Sequence, residues 1–253
     1  MFKDKKIICV IPARRESARF PRKIFHKIHG KILLQWVWEA AKNVELFDDI
    51  TFAIDSEEVA EVIKRFGGNY QMTSINCKSG TDRVIEVMKS GKVKSDIFVN
   101  WQGDEPFINE MMIQELIQSC DKDDASIWAL KKKITFEREL NSPAFSKVVC
   151  DVNGKALYFS RSVIPFYRDK DKLSFENKNF YKSLGLYAFT TQALEKISSL
   201  NSSYLEDYEK LEQLRWIYHG LQIKVHETEQ EVVGIDFPED IERAEKFSIQ
   251  LQT

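Results

Sequence analysis

The chain has 253 residues, enough to bury the core of one large α/β domain or two small ones. Its 43% hydrophobic and 30% charged content is that of a soluble globular protein, and a net charge of −2 argues against nucleic acid or an anionic membrane surface as partner. No apolar run reaches the ~18 residues of a membrane helix, and the apolar stretch after Lys6 falls short of the ~7–15 residues of a signal-peptide core, so a cytoplasmic protein is expected.

Lys6-Ile7-Ile8-Cys9-Val10-Ile11-Pro12 is continuously apolar, the mark of a buried first strand. It runs into Ala13–Lys23, a loop with five cations (Arg14, Arg15, Arg19, Arg22 and Lys23) and one acid, Glu16. A basic loop directly after a first strand stands where phosphates bind in open α/β sheets; Arg offers paired donors and Lys a point charge. The loop lacks the glycines of the dinucleotide and P-loop fingerprints, so any grip comes from side chains and a few amides. An ordinary solvated basic loop is the alternative.

Leu33, Val37, Ala40, Ala41 and Val44 mark one face of a helix over 32–44. Ile50–Asp55 reads as a second strand ending in an acid. Ser56 is placed to cap a helix over 57–66, which Gly67-Gly68 stops, and Tyr70–Met72 reads as a short strand. Ser79-Gly80-Thr81 enters a helix over 84–88; it offers donors to an anion or base edge, or simply caps the helix. Ile97-Phe98-Val99 then ends abruptly in Asn100-Trp101-Gln102-Gly103-Asp104-Glu105-Pro106, a strand opening into a loop at the edge where such sheets bind ligands. Asp104 and Glu105 are hard oxygen donors suited to magnesium, Gly103 admits close approach of a ligand to the backbone, and Pro106 stiffens the exit. An acidic β-turn is the competing interpretation.

A helix over 111–120 and a strand over 125–130 complete a β-α-β-α alternation, which argues for a mostly parallel sheet with covered faces. The pattern changes near Asn141. Lys147–Val152 and Ala156–Arg161 flank Asn153-Gly154, a hairpin signal. Residues 166–180 form a polar excursion suited to mobility or to a partner chain. Leu184–Phe189 reads as a strand, Thr190 or Thr191 as the cap of a short helix to Ile197, Leu205–His219 as one charged amphipathic helix, and Ile223–His226 as a late strand. Gly234–Asp240 leads into a proline-started terminal helix that Asp236 is placed to cap. Cys9, Cys77, Cys120 and Cys150 lack zinc-ligand spacing; Cys9 and Cys150 suit reduced core thiols, and His26 and His29 suit surface or packing roles.

The Arg14, Arg19 and Lys23 loop, the Ser79-Gly80-Thr81 turn and the Asp104 loop all fall at one sheet edge. Asp236 supplies a second acid. Two carboxylates far apart in sequence beside a basic loop suit magnesium-assisted phosphoryl or nucleotidyl transfer, and no nucleophile–base triad is evident, so direct in-line attack by substrate is expected.

The chain resembles the CMP-3-deoxy-D-manno-octulosonate (KDO) synthetase family, the 3-deoxy-manno-octulosonate cytidylyltransferases. The matching segments, in family order, are Ile11-Pro12-Ala13-Arg14, Ser17-Ala18-Arg19-Phe20-Pro21-Arg22-Lys23, Ser79-Gly80-Thr81-Asp82-Arg83, Asn100–Pro106, Ala156-Leu157-Tyr158-Phe159-Ser160-Arg161, Gly185-Leu186-Tyr187, Leu211-Glu212-Gln213-Leu214-Arg215 and Asp236-Phe237-Pro238-Glu239-Asp240. The resemblance implies a three-layer, doubly wound, mostly parallel α/β fold of the nucleotide-diphospho-sugar transferase type, with a small β-rich insertion for dimerisation. It implies a single cytidylyltransferase domain over 1–253, with a sugar-binding and dimerisation subregion at about 141–220. The implied reaction joins CMP from CTP to the acid sugar and releases pyrophosphate, in a cytoplasmic homodimer serving lipopolysaccharide assembly, without nucleic acid or membrane as partner.

The resemblance makes Lys23, Arg14 and Asp104 catalytic, and Ala13, Arg14, Arg19, Lys23, Ser79, Gly80, Arg83 and Gln102 nucleotide-binding. Gln102, Arg161, Ser183, Tyr187, Glu212 and Gln213 would bind the sugar, and Asp104 and Asp236 would hold Mg2+. Core packing for Tyr187 and surface ion pairing for Arg161 and Glu212 are the alternatives. The chain departs from the family's pattern at Arg22, where Gly is usual and a less tightly wound loop is expected, at Cys77 and Ser183, where His is usual, and at Ile54, where Thr is usual. These departures leave open an 8-amino or other 2-keto acid sugar, and a non-catalytic nucleotide-binding relative.

Overall fold

A computed structural model describes residues 2–17, 19–122, 125–168 and 178–251. In chain order they form β1 (Ile7–Ala13), a 3-10 turn (Lys23–Phe25), β2 (Lys27–Ile28), β3 (Lys31–Ile32), α1 (Leu33–Lys42), β4 (Asp49–Ile54), α2 (Glu57–Arg65), β5 (Tyr70–Met72), α3 (Gly80–Lys89), β6 (Ile97–Asn100) and α4 (Glu110–Ile117). They continue as β7 (Ile127–Lys133), α5 (Glu137–Asn141), β8 (Lys147–Cys150), β9 (Ala156–Ser160), β10 (Tyr181–Thr190), α6 (Thr191–Ile197), α7 (Tyr204–Glu209), α8 (Gln213–Tyr218), β11 (Ile223–Glu227) and α9 (Asp240–Gln250). The chain divides into two compact units, Met1–Gln114 with Glu231–Thr253, and Glu115–Gln230.

In the first unit the strands lie in the order β6-β1-β4-β5, all parallel. β1 has a strand on either side and every residue buried, which is why its sequence is apolar without alternation. The chain moves outward from β1 to β4 and β5, then returns to lay β6 on the other side of β1. That reversal between β1 and β6 is a topological switch point, and the loops leaving the two strands' C-terminal ends flank it. α2 is capped by Ser56 Oγ, which accepts from Val59 N–H at 3.3 Å, with Glu57 and Glu58 in the first turn and Lys64 and Arg65 in the last.

The first unit corrects several expectations. α3 starts at Gly80 rather than Val84, because Ser79 and Asp82 form a reciprocal capping box that satisfies the first amides of a longer helix. β2 and β3 form a hairpin unforeseen in the sequence; its turn is His29-Gly30, both at positive φ (47° and 77°), as a type I′ turn requires. The terminal helix starts at Asp240, whose carboxylate accepts the amides of Asp236 (2.8 Å) and Phe237 (2.9 Å). Asp240 thus ties down the turn that enters the helix, and Asp236 does not cap it; no side chain takes the capping role that the sequence offered to Asp236. A cluster of Phe20, Ile28, Leu33, Phe107, Val233, Ile235 and Ala244 packs the flank of the basic loop against this returning segment. Each such large side chain contributes about 1.5–3 kcal/mol by its burial.

The second unit is mixed. β11 lies parallel to β7, and β10 is antiparallel to both β7 and β8, with β9 antiparallel to β8. The expected hairpin is present, with Asp151 Oδ1 accepting the amides of Asn153 and Lys155 at 2.8 Å and Gly154 at φ 75°. β10 extends beyond the expected 184–189 and carries a register shift between Ser183 and Tyr187. The expected helix over 205–219 is broken: Lys210 takes a left-handed conformation (φ 52°) between α7 and α8. The carbonyls of Glu209 and Lys210, free at the end of α7, accept from Arg161 Nε (2.7 Å) and a terminal guanidinium nitrogen (3.3 Å). Within the polar excursion, 169–177 lie outside the described residues.

Candidate active site

The two switch-point loops are anchored by extending the β1–β6 ladder beyond the strands. Trp101 N–H donates to Val10 O at 3.1 Å and Gly103 N–H to Pro12 O at 3.2 Å. A side chain at position 103 would put its Cβ 2.9 Å from Pro12 O, so the neighbouring strand's carbonyl by itself already calls for glycine here. Trp101 is fully buried and its indole N–H donates to Glu105 O at 2.8 Å, which folds the acidic loop back on itself. Ile235 N–H donates to Asp104 O at 3.0 Å and brings the returning segment alongside.

The result is a cleft of about 360 Å³ within the first unit. Ala13, Arg14, Arg19, Lys23, Ser79, Gly80, Arg83, Gln102, Asp104 and Asp236 all line it, every one named from the sequence, together with Ser17, Cys77 and Glu105. Ala18 lies outside the described residues. Lys23 is buried, yet its Nζ stands 2.5 Å from Asp104 Oδ2 and 3.3 Å from Asp236 Oδ1. Arg19 reaches the same Asp236 oxygen at 2.8 Å. Two carboxylates from sites 132 residues apart therefore converge on one cation, a hard-oxygen donor pair facing a basic loop.

Glu105 takes a different role from its neighbour. Its Oε2 is buried without a hydrogen-bond partner, and a Cβ at Gly234 would meet Oε1 at 2.6 Å. Burial, then the charges of Asp104 and Asp236, push its carboxyl up to about 8. It is a half-buried acid in the cleft wall with one oxygen turned inward, unlike the magnesium donor its sequence position suggested.

Gln102 is held by a buried chain: its Nε2 donates to Asn100 Oδ1 at 2.8 Å, and Asn100 Nδ2 donates to Thr81 Oγ1 at 3.2 Å. Gly80 leaves room for it, since a Cβ there would lie 2.8 Å from the Gln102 amide. Cys77 Sγ donates to Glu86 Oε1 at 3.2 Å; burial and that carboxylate push the thiol up to about 12. At Arg22 the backbone is left-handed (φ 53°), so the loop keeps the tight turn that suits glycine, with the side chain paired to Glu58. The expected looser winding is not found.

The sugar-binding candidates other than Gln102 lie in the second unit. Tyr187 is 6% exposed, packs edge-on against Trp216 (5.4 Å between ring centres) and shares a hydrogen bond with Ser183. Burial raises its hydroxyl pKa, and the nearby Glu212 carboxylate adds to the rise. Ser183, Tyr187 and Glu212 thus come together beside the irregularity in β10, a common place for side chains to be re-aimed. Gln213 is buried in the first turn of α8. Arg161 is committed elsewhere: besides Glu209 O and Lys210 O it donates to Pro143 O at 2.8 Å, and its amide donates to Glu209 Oε2 at 2.8 Å.

A family model described as cytidylyltransferase matches residues 8–226. The chain belongs to the cytidylyltransferase family. This cytidylyltransferase is 43% identical over 246 residues to the 3-deoxy-manno-octulosonate cytidylyltransferase of Thermodesulfovibrio yellowstonii, covering 94% of the chain and 96% of that protein. It is 44% identical over 248 residues to the protein of the same name from Parabacteroides distasonis, with 96% and 98% covered. A solved CMP:2-keto-3-deoxy-manno-octonic acid synthetase complexed with CTP superposes with a TM-score of 0.88 at 36% identity, covering 97% of this chain and 99% of that one. A 4-diphosphocytidyl-2C-methyl-D-erythritol synthase from Anaerococcus prevotii shares the fold alone, with a TM-score of 0.61 at 15% identity over 97% of this chain and 99% of that one.

Some of the residues that support the cytidylyltransferase's basic loop had no reading in the sequence. The role of Asp55 was hidden because an acid ending a strand carries no mark of its partner, here the buried Arg83 at 2.7 Å. Glu58 lies in the expected helix over 57–66 with nothing to mark it, although it engages both Arg15 and Arg22. The one usable signal was charge: five loop cations need more than one acid nearby.

Proposed function

We propose that this chain transfers CMP from CTP to 3-deoxy-D-manno-octulosonate, the activity its relatives are named for. The anomeric hydroxyl attacks the α-phosphorus and gives up its proton to water, the bond to the oxygen bridging to the β-phosphate breaks, and pyrophosphate leaves with the electron pair. The observation that carries this reading is the meeting of Lys23, Asp104 and Asp236 in one cleft. Arg14, Arg19 and Lys23 hold the triphosphate, with Lys23 aimed at charge that grows on the phosphate oxygens. Ala13, Ser79, Gly80 and Gln102 line the nucleotide's place. Cys77, kept as a thiol, is unsuited to attack, which agrees with direct displacement by the sugar.

Asp104 and Asp236 are fitted to hold magnesium, since two hard carboxylates facing one cation are enough when phosphates complete the shell. Bound there, the ion would neutralise charge on the triphosphate. Gln102, Ser183, Tyr187, Glu212 and Gln213 are assigned to the sugar, with Arg161 holding the turn that carries the last two. A cytoplasmic homodimer supplying lipopolysaccharide assembly completes the reading; light scattering in solution tests the dimer.

The hydroxyl pair of Ser183 and Tyr187 supports a second reading of the sugar alone, an 8-amino or related 2-keto acid, because Ser183 is a small neutral group where the family usually has His. Pyrophosphate release with CTP, magnesium and a panel of acid sugars tests both. Release with the octulosonate and none without sugar is expected. CTP binding without release on any sugar would mark a nucleotide-binding relative that has lost catalysis.

A further inference from the structure

The five loop cations are not equivalent. Glu58, in the first turn of α2, accepts from Arg15 Nε at 2.7 Å and pairs with Arg22, so it ties together side chains from the two ends of the loop. Asp55 stands at the exit of β4 and faces two ways. Its Oδ1 accepts the backbone N–H of Arg15 at 2.9 Å, and its Oδ2 accepts from the Arg83 guanidinium at 2.7 Å. Arg83 is 3% exposed; its remaining contacts are Thr73 Oγ1 at 2.6 Å and Ser74 O at 3.3 Å. Thr73 Oγ1 in turn donates to Ile54 O at 2.8 Å, the last residue of β4. The amide that Asp55 holds is thus the one immediately after Arg14, at the point where β1 becomes the basic loop.

Arg83 lines the cleft, which makes it look like a phosphate ligand. Its environment argues otherwise. A phosphate could take this guanidinium only by drawing it off a mostly buried carboxylate, leaving Asp55 charged and unpaired, and an unpaired buried charge is costly. The pair instead serves the loop. With Arg83 fixing Oδ2, Asp55 Oδ1 points at Arg15 N–H, and the turn that aims Arg14 into the cleft is set before nucleotide arrives.

We propose that Asp55 and Arg83 are positioning residues for nucleotide binding: Arg83 acts through Asp55 on the Arg14–Arg15 backbone and does not touch the triphosphate. The proposal rests on the assignment of the basic loop as the triphosphate grip. Preset geometry lowers the ordering cost of binding and keeps the reacting phosphate aligned.

The test compares the full-length parent with D55A/R83M and R14A. The double variant removes both charges at once, so no buried ion is left unpaired. Hydrogen exchange over residues 14–23 is measured without nucleotide, beside steady-state kinetics. In D55A/R83M that exchange quickens about tenfold and the KM for CTP rises about tenfold, while kcat and the sugar KM stay within about threefold of the parent. A generally weakened fold would instead quicken exchange in β1 and β6 and lower kcat through loss of active enzyme. Parental exchange overturns the proposal, and parental exchange with a raised CTP KM means that Arg83 binds nucleotide directly. In R14A the CTP KM rises with parental exchange; a parental KM there overturns the grip assignment, and the exchange result still decides the role of the pair. Should the double variant not fold, Asp55→Asn keeps an acceptor for Arg15 but withdraws the countercharge from Arg83, and parental exchange and CTP KM in it overturn the proposal.

Discussion

Arg19 and Lys23 in the first unit and Arg161 in the second are all cations that follow an apolar strand motif, yet they meet opposite surroundings. Arg19 and Lys23 meet side-chain carboxylates in an open cleft, and such pairs can exchange partners when a triphosphate arrives. Arg161 donates to three backbone carbonyls and closes the end of α7. The lesson is that a cation's job follows from what it faces. Carboxylates that can themselves be satisfied by another cation leave Lys23 available for chemistry; helix-end carbonyls that cannot move hold Arg161 to structure.

The sharpest way to break the contrast is to remove one cation from each side. Lys23→Met is expected to lower kcat by about 10²–10³-fold, with the urea midpoint close to the parent's, because the proposed function puts its charge chiefly on the reacting phosphates. Turnover within about threefold of the parent's would make Lys23 a spectator. Arg161→Ala is expected to do the reverse in kind: a loss of about 2–3 kcal/mol of stability by urea unfolding, from hydrogen bonds made by a charged group to carbonyls left unsatisfied. Unchanged stability with a large rise in the sugar KM would return Arg161 to direct sugar binding.

That comparison also shows how far the sequence could be read. The β1 and β6 strands, their loops, and the union of Lys23, Asp104 and Asp236 were legible, because a buried parallel strand must be apolar throughout and its C-terminal exit must be polar. The break at Lys210 was not, because the helical face runs unbroken through it and the guanidinium that ends α7 comes from the residue just after β9, 49 positions earlier. Nor was the hairpin of β2 and β3, whose strands are two residues each and carry no alternation. Glu105 was half legible: its charge was read, but its inward turn depends on Gly234, 129 positions on.

Two smaller effects sharpen the account of the first unit. The carboxyl of Glu105 is raised from 4.5 to about 8, so between those values the folded protein holds a proton that the unfolded chain has released. Stability from this group is full below the unfolded value, falls by up to about 1.4 kcal/mol per pH unit through the window, and levels off above it. Glu105→Gln should flatten the decline, so its melting temperature gains on the parent's from pH 5 to pH 8; parallel curves would show an ordinary exposed acid. Arg22→Gly is the smallest. Relief of the left-handed backbone is worth about 1 kcal/mol, and loss of the exposed, solvent-screened Glu58 pair works against it, so little net change in stability is expected. A larger loss in urea unfolding would mean that the Glu58 pair holds more of the loop than its exposure suggests.

In the proposed function, carboxylates and cations from distant parts of the chain serve one nucleotide transfer. Pyrophosphate release by Asp104→Asn, with CTP and octulosonate at saturating magnesium, tests it most directly. No measurable turnover is expected from a variant that unfolds at the parent's urea midpoint; turnover at the parent's rate would mean that Asp104 serves neither metal nor phosphate.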